Sequence, residues 1–197
     1  MSDIFVTDNN STPINDDEKN ELILSWITTR DDLNTAEAQG IIEAKKWLLT
    51  NRQKDILSEK FVKLLHEKMF GSVWGWAGKF RQKEVNIGTI PPYAVGVELK
   101  KLFDDVNYWI ENNTYSPVEL CVRFHHRLVY IHPFSNGNGR HSRLMADILM
   151  KKLGQKSFNW GENNLVEMST IRDFYIEALR KADRGDYSLL MTFVINK

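Results

Sequence analysis

The sequence predicts a mainly helical protein with one domain and a single short β-hairpin, on three observations. The chain has 197 residues, a length typical of one domain. Apolar residues recur at helical spacing along most of it. Its 11 glycines and five prolines are few, and they cluster where the chain is expected to turn. One such cluster, in 74–97, is interspersed with apolar residues and predicts the hairpin.

Charge and cysteine content exclude several classes of protein. The 26 basic and 26 acidic residues cancel, so no overall field draws the chain onto nucleic acid or an anionic membrane, and direct nucleic-acid binding is not expected. No apolar run resembles a secretory signal or a membrane span. Cys121 is the only cysteine, which excludes an internal disulfide and a cysteine cage for a metal. These features favour the cytoplasm.

The N-terminal part is expected to hold a mobile segment, 1–20, followed by helices in 21–60 that pack on the core. Thr29 and Asp32 have the spacing of a capping box and predict the start of a long helix. Ser58 is a suitable N-cap for the next helix. Small residues on one side of the long helix would let a neighbouring element approach closely: Ala36, Gly40 and Ala44.

After the predicted hairpin, helical spacing returns at Leu99 and predicts another helix. Ser116 and Pro117 predict the start of the next one, because serine caps helices and proline is tolerated at the first helical position. Apolar residues lie on most sides of this helix, so we expect it to be the central, buried one. It should end at His132, because Pro133 disfavours helical geometry in the residue before it.

Nearly all the reactive side chains lie in the loop 132–143, between this helix and the next. His132 carries an imidazole, which can accept a proton from a hydroxyl near neutral pH, and is therefore the candidate general base. Phe134 is expected to be buried and to fix the position of that imidazole. Gly137 and Gly139 permit positive φ, so successive N–H groups can point inward and bind an anion at the start of the next helix.

Two arginines in the same loop predict that the anion is a phosphate. Arg140 and Arg143 are three residues apart, so both guanidinium groups lie on one face of the outgoing helix. Positive charge is unfavourable at a helix N-terminus, and a bound polyphosphate would offset it. Asn138 can add an amide donor to a phosphoryl oxygen. The residues alone therefore predict a phosphate site beside a general base.

The run His-Pro-Phe-x-x-Gly-Asn-Gly-Arg-x-x-Arg, from His132 to Arg143, resembles the active-site motif of the Fic family, within the wider Fic/Doc group. Residues 76–81, 86–88 and 124–126 are also similar to segments that precede the motif in that family. The length of the chain and its opening resemble the small bacterial branch called mobile mystery protein B, which implies a companion helix-turn-helix protein.

The resemblance implies an all-α fold, the Fic-type (Fido) helical bundle with a short β-hairpin flap, over residues 61–197. It also implies transfer of AMP from ATP to a Ser, Thr or Tyr hydroxyl of a target protein, with His132 as the general base. The phosphate-binding residues that it implies are those already predicted from their chemistry: Gly137, Asn138, Gly139, Arg140 and Arg143.

The resemblance also implies roles for two further segments. The flap would present the backbone of the target by strand addition, and its residues are Ile87, Gly88, Thr89, Ile90 and Tyr93. Many Fic proteins have an inhibitory helix with Ser or Thr, three residues, Glu, and then Gly or Asn. The nearest run here has Thr35, Gln39 and Gly40, with glutamine in place of the glutamate. Two roles stay open for this helix: a weak cover over the phosphate site through Arg143, and packing.

Position 136 departs from the family pattern, which has Asp or Glu there as a ligand for Mg²⁺, whereas this chain has Asn136. An amide oxygen brings no charge, and Mg²⁺ prefers carboxylates. Weak Mg²⁺ binding is therefore expected, and slow, metal-independent or absent transfer are the alternatives. Two other functions stay open: transfer of a phosphoryl or another nucleotidyl group, and a nucleotide-binding regulatory module with little turnover.

Overall fold

Seven α-helices and a short 3₁₀ helix account for most of the described residues of the computed structural model, which are 19–51, 55–84, 90–160 and 168–195. The α-helices are α1 (Arg30–Thr50), α2 (Glu59–Phe70), α3 (Val95–Glu111), α4 (Pro117–Ile131), α5 (Asn138–Lys152), α6 (Met168–Ala182) and α7 (Ser188–Ile195). The 3₁₀ helix, Pro92–Ala94, directly precedes α3. The predicted all-α fold is confirmed.

The chain divides into two compact units that do not follow its linear order. The first contains the described residues of Met1–Glu84 together with Pro133–Gly137. The second contains the described residues of Val85–His132 together with Asn138–Lys197. The loop 132–143 therefore contributes residues to both units.

In the first unit, α1 packs against α2 through a face of small residues. The hydroxyl of Thr29 accepts a hydrogen bond from the N–H of Asp32 (3.1 Å), and the Asp32 carboxylate accepts one from the N–H of Thr29 (2.9 Å). The predicted capping box therefore begins α1. Gly40 is buried on the small-residue face, where an added Cβ would clash with the carbonyl oxygen of Met69. The predicted close approach of a neighbouring element is confirmed.

The central helix of the second unit is α4, which has buried residues along its whole length. The hydroxyl of Ser116 accepts a hydrogen bond from the N–H of Glu119 (3.3 Å), and Pro117 occupies the first turn, as predicted. The helix packs against both α3 and α5. Arg127 on α4 donates to the carboxylate of Glu98 on α3 at 2.6 Å. The prediction of a central, buried helix here is confirmed.

Helices α6 and α7 complete the core of the second unit. One cluster of buried side chains joins them to α4 and α5: Val122, Ala146, Trp160, Ala178, Ala182, Leu190, Phe193 and Val194. Full burial of one large apolar side chain contributes roughly 1.5–3 kcal/mol. The C-terminal helices therefore stabilise the two helices that flank the loop 132–143.

The segment predicted as a β-hairpin, 74–97, is described only in part. Its centre, 85–89, lies outside the described residues, so the hairpin stays a prediction there. Its C-terminal end is helical, because α3 already begins at Val95. The described residues contain no β-strand, and an isolated antiparallel bridge joins Leu22 and Trp74.

Three predictions made from composition also bear on the fold. Most of the segment predicted to be mobile, 1–20, lies outside the described residues. Among the helices that the structure describes, none is long and apolar enough to cross a membrane. Cys121 is buried in α4, and burial raises the pKa of its thiol to about 12, so the thiol is protonated and unreactive at neutral pH.

Candidate functional site

The loop 132–143 begins with a histidine in an unusual backbone conformation. Helix α4 ends at Ile131, and His132 takes the left-handed conformation, with φ 51° and ψ 61°. Its N–H still donates to the carbonyl of Leu128 (3.3 Å), which closes the last turn. Pro133 follows, so the helix ends where the sequence predicts. A left-handed conformation costs an L-residue roughly 1–2 kcal/mol, and strain of this kind is concentrated at functional sites.

Helix α5 starts at Asn138, and its first turns carry the predicted cations. Asn138 is buried, whereas Arg140 and Arg143 are partly exposed. The first turn of α5 contains no acidic residue, while Lys151 and Lys152 lie in its last turn. Because the N-terminal end of a helix is positive, the arginines add to a local positive charge that a bound anion would neutralise.

Only one of the two loop glycines uses its freedom to take a positive φ. Gly137 has φ 76°, which turns the chain immediately before α5. Gly139 has helical backbone geometry instead, because α5 has already begun, and its carbonyl accepts a hydrogen bond from the hydroxyl of Ser142 (3.0 Å). Of the two glycines predicted to permit a positive φ, only Gly137 therefore has one.

Arg143 lies near two neutral side chains of the second unit, the buried His125 and the partly buried Tyr175. Its guanidinium carbon is 5.8 Å from the centroid of the Tyr175 ring on α6. The hydroxyl of Tyr175 is 2.9 Å from Nε2 of His125 on α4. Burial lowers the pKa of His125 to about 3 and raises the pKa of Tyr175 to about 12, so both side chains are neutral at physiological pH. The sequence motif does not include Tyr175.

In the first unit, Pro133–Gly137 is held by side chains of α2 and the turn that follows it. His66, on α2, is fully buried, and its Nε2 is 3.1 Å from the carbonyl oxygen of Asn136. The His66 ring stacks on Phe134, with 3.7 Å between ring centroids. The predicted burial of Phe134 is confirmed. Its stacking partner is His66, and the fixing of His132 by Phe134 stays a prediction.

Two more contacts in the first unit hold the same part of the loop. The N–H of Arg81 donates to the carbonyl of Pro133 at 2.9 Å. A Cβ on Gly137 would lie 2.7 Å from Cε2 of Phe70, so glycine is required there for space as well as for its φ. His66 and Phe70 were not identified from the sequence. The available signal was their spacing of four residues on the buried face of α2.

The side chains that the loop could offer as metal ligands do not fit a resident Mg²⁺ ion. The side-chain oxygen of Asn136 accepts a hydrogen bond from the N–H of Gly137 (2.7 Å), and the loop contains no carboxylate. Asp147, the one carboxylate of α5, accepts from the N–H of Phe158 and the indole N–H of Trp160, both at 3.1 Å. Within the four described ranges, no three or more His, Cys, Asp or Glu side chains form a group suited to a metal ion. No step of the chemistry is therefore assigned to Mg²⁺.

The residues of the predicted flap are described only at its C-terminal end. Positions 87–89 lie outside the described residues. Ile90 is partly buried, and Tyr93, in the 3₁₀ helix, is 88% exposed. Docking of a target by strand addition stays a prediction.

The predicted inhibitory residues lie on α1, in the first unit. Thr35 and Gln39 are exposed, and the side-chain amide of Gln39 donates to the carboxylate of Glu43 at 2.9 Å. Gly40 is buried against the backbone of Met69. The packing role is therefore confirmed for Gly40, whereas an inhibitory role for Gln39 stays a prediction.

Comparison with known sequences identifies related proteins. Residues 56–150 match the family model described as Fic/DOC family. A protein adenylyltransferase Fic from Aedes aegypti is 28% identical over 165 residues, which are 80% of this chain and 31% of the relative. A protein adenylyltransferase Fic from Nematostella vectensis is 27% identical over 165 residues, covering 80% of this chain and 36% of the relative. The chain thus spans about a third of the length of these relatives.

Solved structures share the fold. A segment of Fic-1 from C. elegans is 27% identical, with a TM-score of 0.63 over 79% of this chain and 46% of that one. BepC from Bartonella tribocorum, solved with bound AMPPNP, has a TM-score of 0.67 at 16% identity and covers 98% of this chain and 95% of that one. At 16% identity, the second likeness concerns the fold alone.

Proposed function

We propose that this chain, which belongs to the Fic/DOC family, transfers AMP from ATP to the hydroxyl of a Ser, Thr or Tyr side chain on a target protein. The observation that carries the proposal is His132, which is buried, has a left-handed conformation at the end of α4, and begins the loop into α5. The first turns of α5 supply Arg140 and Arg143 for the phosphates. Relatives named protein adenylyltransferase support the type of reaction.

In the proposed reaction, the imidazole of His132 accepts the proton of the target hydroxyl. The hydroxyl oxygen then forms a bond to the α-phosphorus of ATP, the bond from that phosphorus to the bridging oxygen breaks, and pyrophosphate leaves. Five residues are proposed to hold the phosphates in line: Gly137, Asn138, Gly139, Arg140 and Arg143. Tyr175 and His125 are neutral, so they do not cancel the positive charge of Arg143 beside them.

ATP labelled at the α or the γ phosphate tests this proposal. AMP transfer leaves α-label, and no γ-label, on protein after denaturing electrophoresis, whether the target is the chain itself or a protein of a cell extract. Label from the γ phosphate would indicate phosphoryl transfer instead. ATP binding without transfer of either label would indicate a regulatory module.

Substitution of His132 tests its role as the base. His132→Ala and His132→Asn should both abolish α-label transfer, because neither side chain can accept the proton. Asparagine tolerates a left-handed backbone, so His132→Asn separates the loss of the base from a change in the loop. His126→Asn is the matched control, since His126 is also buried on α4 but hydrogen-bonds to Asp183 and Tyr187. Unchanged transfer by His132→Asn would contradict the assignment.

Asn136 favours a second candidate function, a module that binds nucleotide with little turnover. The residue brings no negative charge to the loop, and its side-chain oxygen already accepts the N–H of Gly137. Both features reduce the charge neutralisation and the positioning that phosphoryl chemistry requires. In this case ATP binding would be measurable by calorimetry, while transfer of α-label would be absent in the wild type.

Three finer parts of the proposal concern partners and surroundings. The segment 87–93 would present the target backbone by strand addition, which the exposure of Tyr93 supports. A helix-turn-helix companion protein is supported only by the resemblance to mobile mystery protein B. Placement in the cytoplasm is supported by the single, buried cysteine.

A further inference from the structure

His66 is a fully buried polar side chain, and both of its ring nitrogens form hydrogen bonds within the first unit. The N–H of Gly78 donates to Nδ1 at 3.1 Å. Because Nδ1 accepts, Nε2 carries the ring proton, and it donates to the carbonyl oxygen of Asn136 at 3.1 Å. A neutral histidine of one defined tautomer thus connects the turn after α2 to Pro133–Gly137.

Aromatic packing fixes the plane of the His66 ring. Phe134 stacks on it at 3.7 Å between centroids, and the rings of Phe70 and Trp76 lie at 4.8 Å and 5.8 Å. The rings of Phe70 and His66 also approach Gly137, where an added Cβ would lie 2.7 Å from Phe70 and 3.3 Å from Nε2 of His66. The imidazole therefore has little freedom to rotate away from the Asn136 carbonyl.

The hydrogen bond to the Asn136 carbonyl also fixes the direction of an N–H group. In a planar trans peptide, the C=O and the N–H point in opposite directions. The carbonyl of Asn136 points at His66, so the N–H of Gly137, in the same peptide group, points away from it. In this structure that N–H donates to the side-chain oxygen of Asn136 at 2.7 Å.

We propose that His66 is a positioning residue for nucleotide binding: by holding the carbonyl of Asn136, it directs the N–H of Gly137 to the place where a phosphoryl oxygen replaces the Asn136 side chain. His66 itself does not touch the nucleotide. The inference rests on the proposed ATP-dependent function. It goes beyond that function by assigning a role to a residue 70 positions away from Asn136 in sequence.

Two buried histidines make a matched pair of variants. His66→Phe keeps an aromatic ring against Phe134 but removes both hydrogen bonds. His126→Phe makes the same substitution at a histidine that also hydrogen-bonds through both nitrogens, to Asp183 (2.8 Å) and Tyr187 (3.2 Å). If His66 only stabilised the fold, His66→Phe and His126→Phe should have similar kinetic constants. Assays are run below the melting temperature of both variants.

The expected result is a split between KM and kcat. His66→Phe should raise the KM for ATP about tenfold, the size of effect given by the loss of one well-directed hydrogen bond, while kcat changes less than about threefold. His126→Phe should change neither by more than about twofold at a comparable loss of stability. His66→Gln has both a donor and an acceptor, and should recover part of the KM. Equal KM values for His66→Phe and His126→Phe, or no recovery in His66→Gln, would overturn the proposal.

A second measurement does not depend on turnover. The backbone amide resonance of Gly137 is followed by NMR while ATP is added to the wild type and to His66→Phe. A shift in the wild type that is lost in His66→Phe supports the proposal, even where no label is transferred and the proposed AMP transfer fails. A Gly137 amide that does not respond to ATP in the wild type, or responds equally in both proteins, overturns it.

Discussion

His132 and Asn113 are the non-glycine residues with positive φ among the described residues. Asn113 lies just after α3, where asparagine commonly ends a helix in this conformation. His132 has nearly the same φ at the end of α4, but it is buried and it begins the motif. The conformation sets the direction in which the Cα–Cβ bond of His132 leaves the end of α4. The position of Asn113 at a helix end is enough to explain its positive φ. The strain at His132, in contrast, is consistent with a catalytic role.

Asn136→Asp is expected to increase the stimulation of AMP transfer by Mg²⁺. A carboxylate at this position adds a negative charge and a ligand that Mg²⁺ prefers over an amide oxygen. We expect the ratio of initial rates with Mg²⁺ and with EDTA to rise about tenfold relative to the wild type, equivalent to about 1.4 kcal/mol. The rates are measured with α-labelled ATP. Asn136→Ser is the uncharged control, and the same Mg²⁺ response in all three proteins would show that the acidic ligand is irrelevant here.

Gly137→Ala should destabilise the protein, whereas Gly139→Ala should not. At Gly137 an alanine meets both a positive φ and the ring of Phe70, which together cost about 2 kcal/mol or more in the free energy of unfolding. At Gly139 nothing lies within 4 Å of an added Cβ, and alanine is the better helix former by up to about 1 kcal/mol. Urea unfolding of both variants measures the difference. Equal stabilities would contradict the described conformation of the loop.

Those residues of the site that lie close together in the sequence could be predicted from it. His132, Arg140 and Arg143 lie within one motif, and their chemistry alone indicates a base beside a phosphate site. His66 and Tyr175 could not be identified in this way, because they are separated by 70 residues from Asn136 and by 50 from His125. Only the packing of helices brings such residues together, and a buried histidine or tyrosine in an apolar stripe has no local signature.

At the level of elements, α1 provides a test of the predicted inhibitory helix. Gln39→Glu restores the acidic residue of the family's inhibitory pattern, and a carboxylate binds an arginine more strongly than an amide does. We therefore expect lower transfer of α-label than in the wild type, with a loss of stability of only about 0.2–0.5 kcal/mol from the like charge of Glu43 one turn away. Ala38→Glu is the control, since it adds a charge at the neighbouring exposed position of the same helix. Equal activity of Gln39→Glu and the wild type would refute an inhibitory role.

Helices with caps and regular apolar spacing could be predicted closely. The capping box at Thr29 and the Ser116 cap begin α1 and α4 as expected, and Pro133 ends α4. The start of α3 at Val95 was missed, because glycine and two prolines around it indicate turns more strongly than a helix. The 3₁₀ helix Pro92–Ala94 explains this start. Pro91 is its N-cap, Pro92 is its first residue, and it leads directly into α3.

For the molecule as a whole, the buried histidines His125 and His126 of the second unit contribute to the dependence of stability on pH. His125 is fully buried, and burial lowers its pKa to about 3, from the usual 6.5. Burial also lowers the pKa of His126, although the hydrogen bond to Asp183 opposes the shift. The unfolded chain therefore binds protons near pH 6.5 that the folded chain does not yet bind. Stability is complete above this pH and falls as the pH decreases towards the folded pKa values.

The free energy of unfolding should therefore decrease by about 2 kcal/mol between about pH 7 and about pH 5 through His125 alone, with a further decrease from His126. Urea unfolding at constant ionic strength measures this change. Carboxylates contribute little in this range, because the pKa values of Asp32, Glu98 and Asp186 are lowered from values that are already below pH 5. His125→Asn removes the titration of His125 and should show a smaller decrease than the wild type. A free energy that stays constant from pH 7 to pH 5 would contradict the burial of His125 as a neutral side chain.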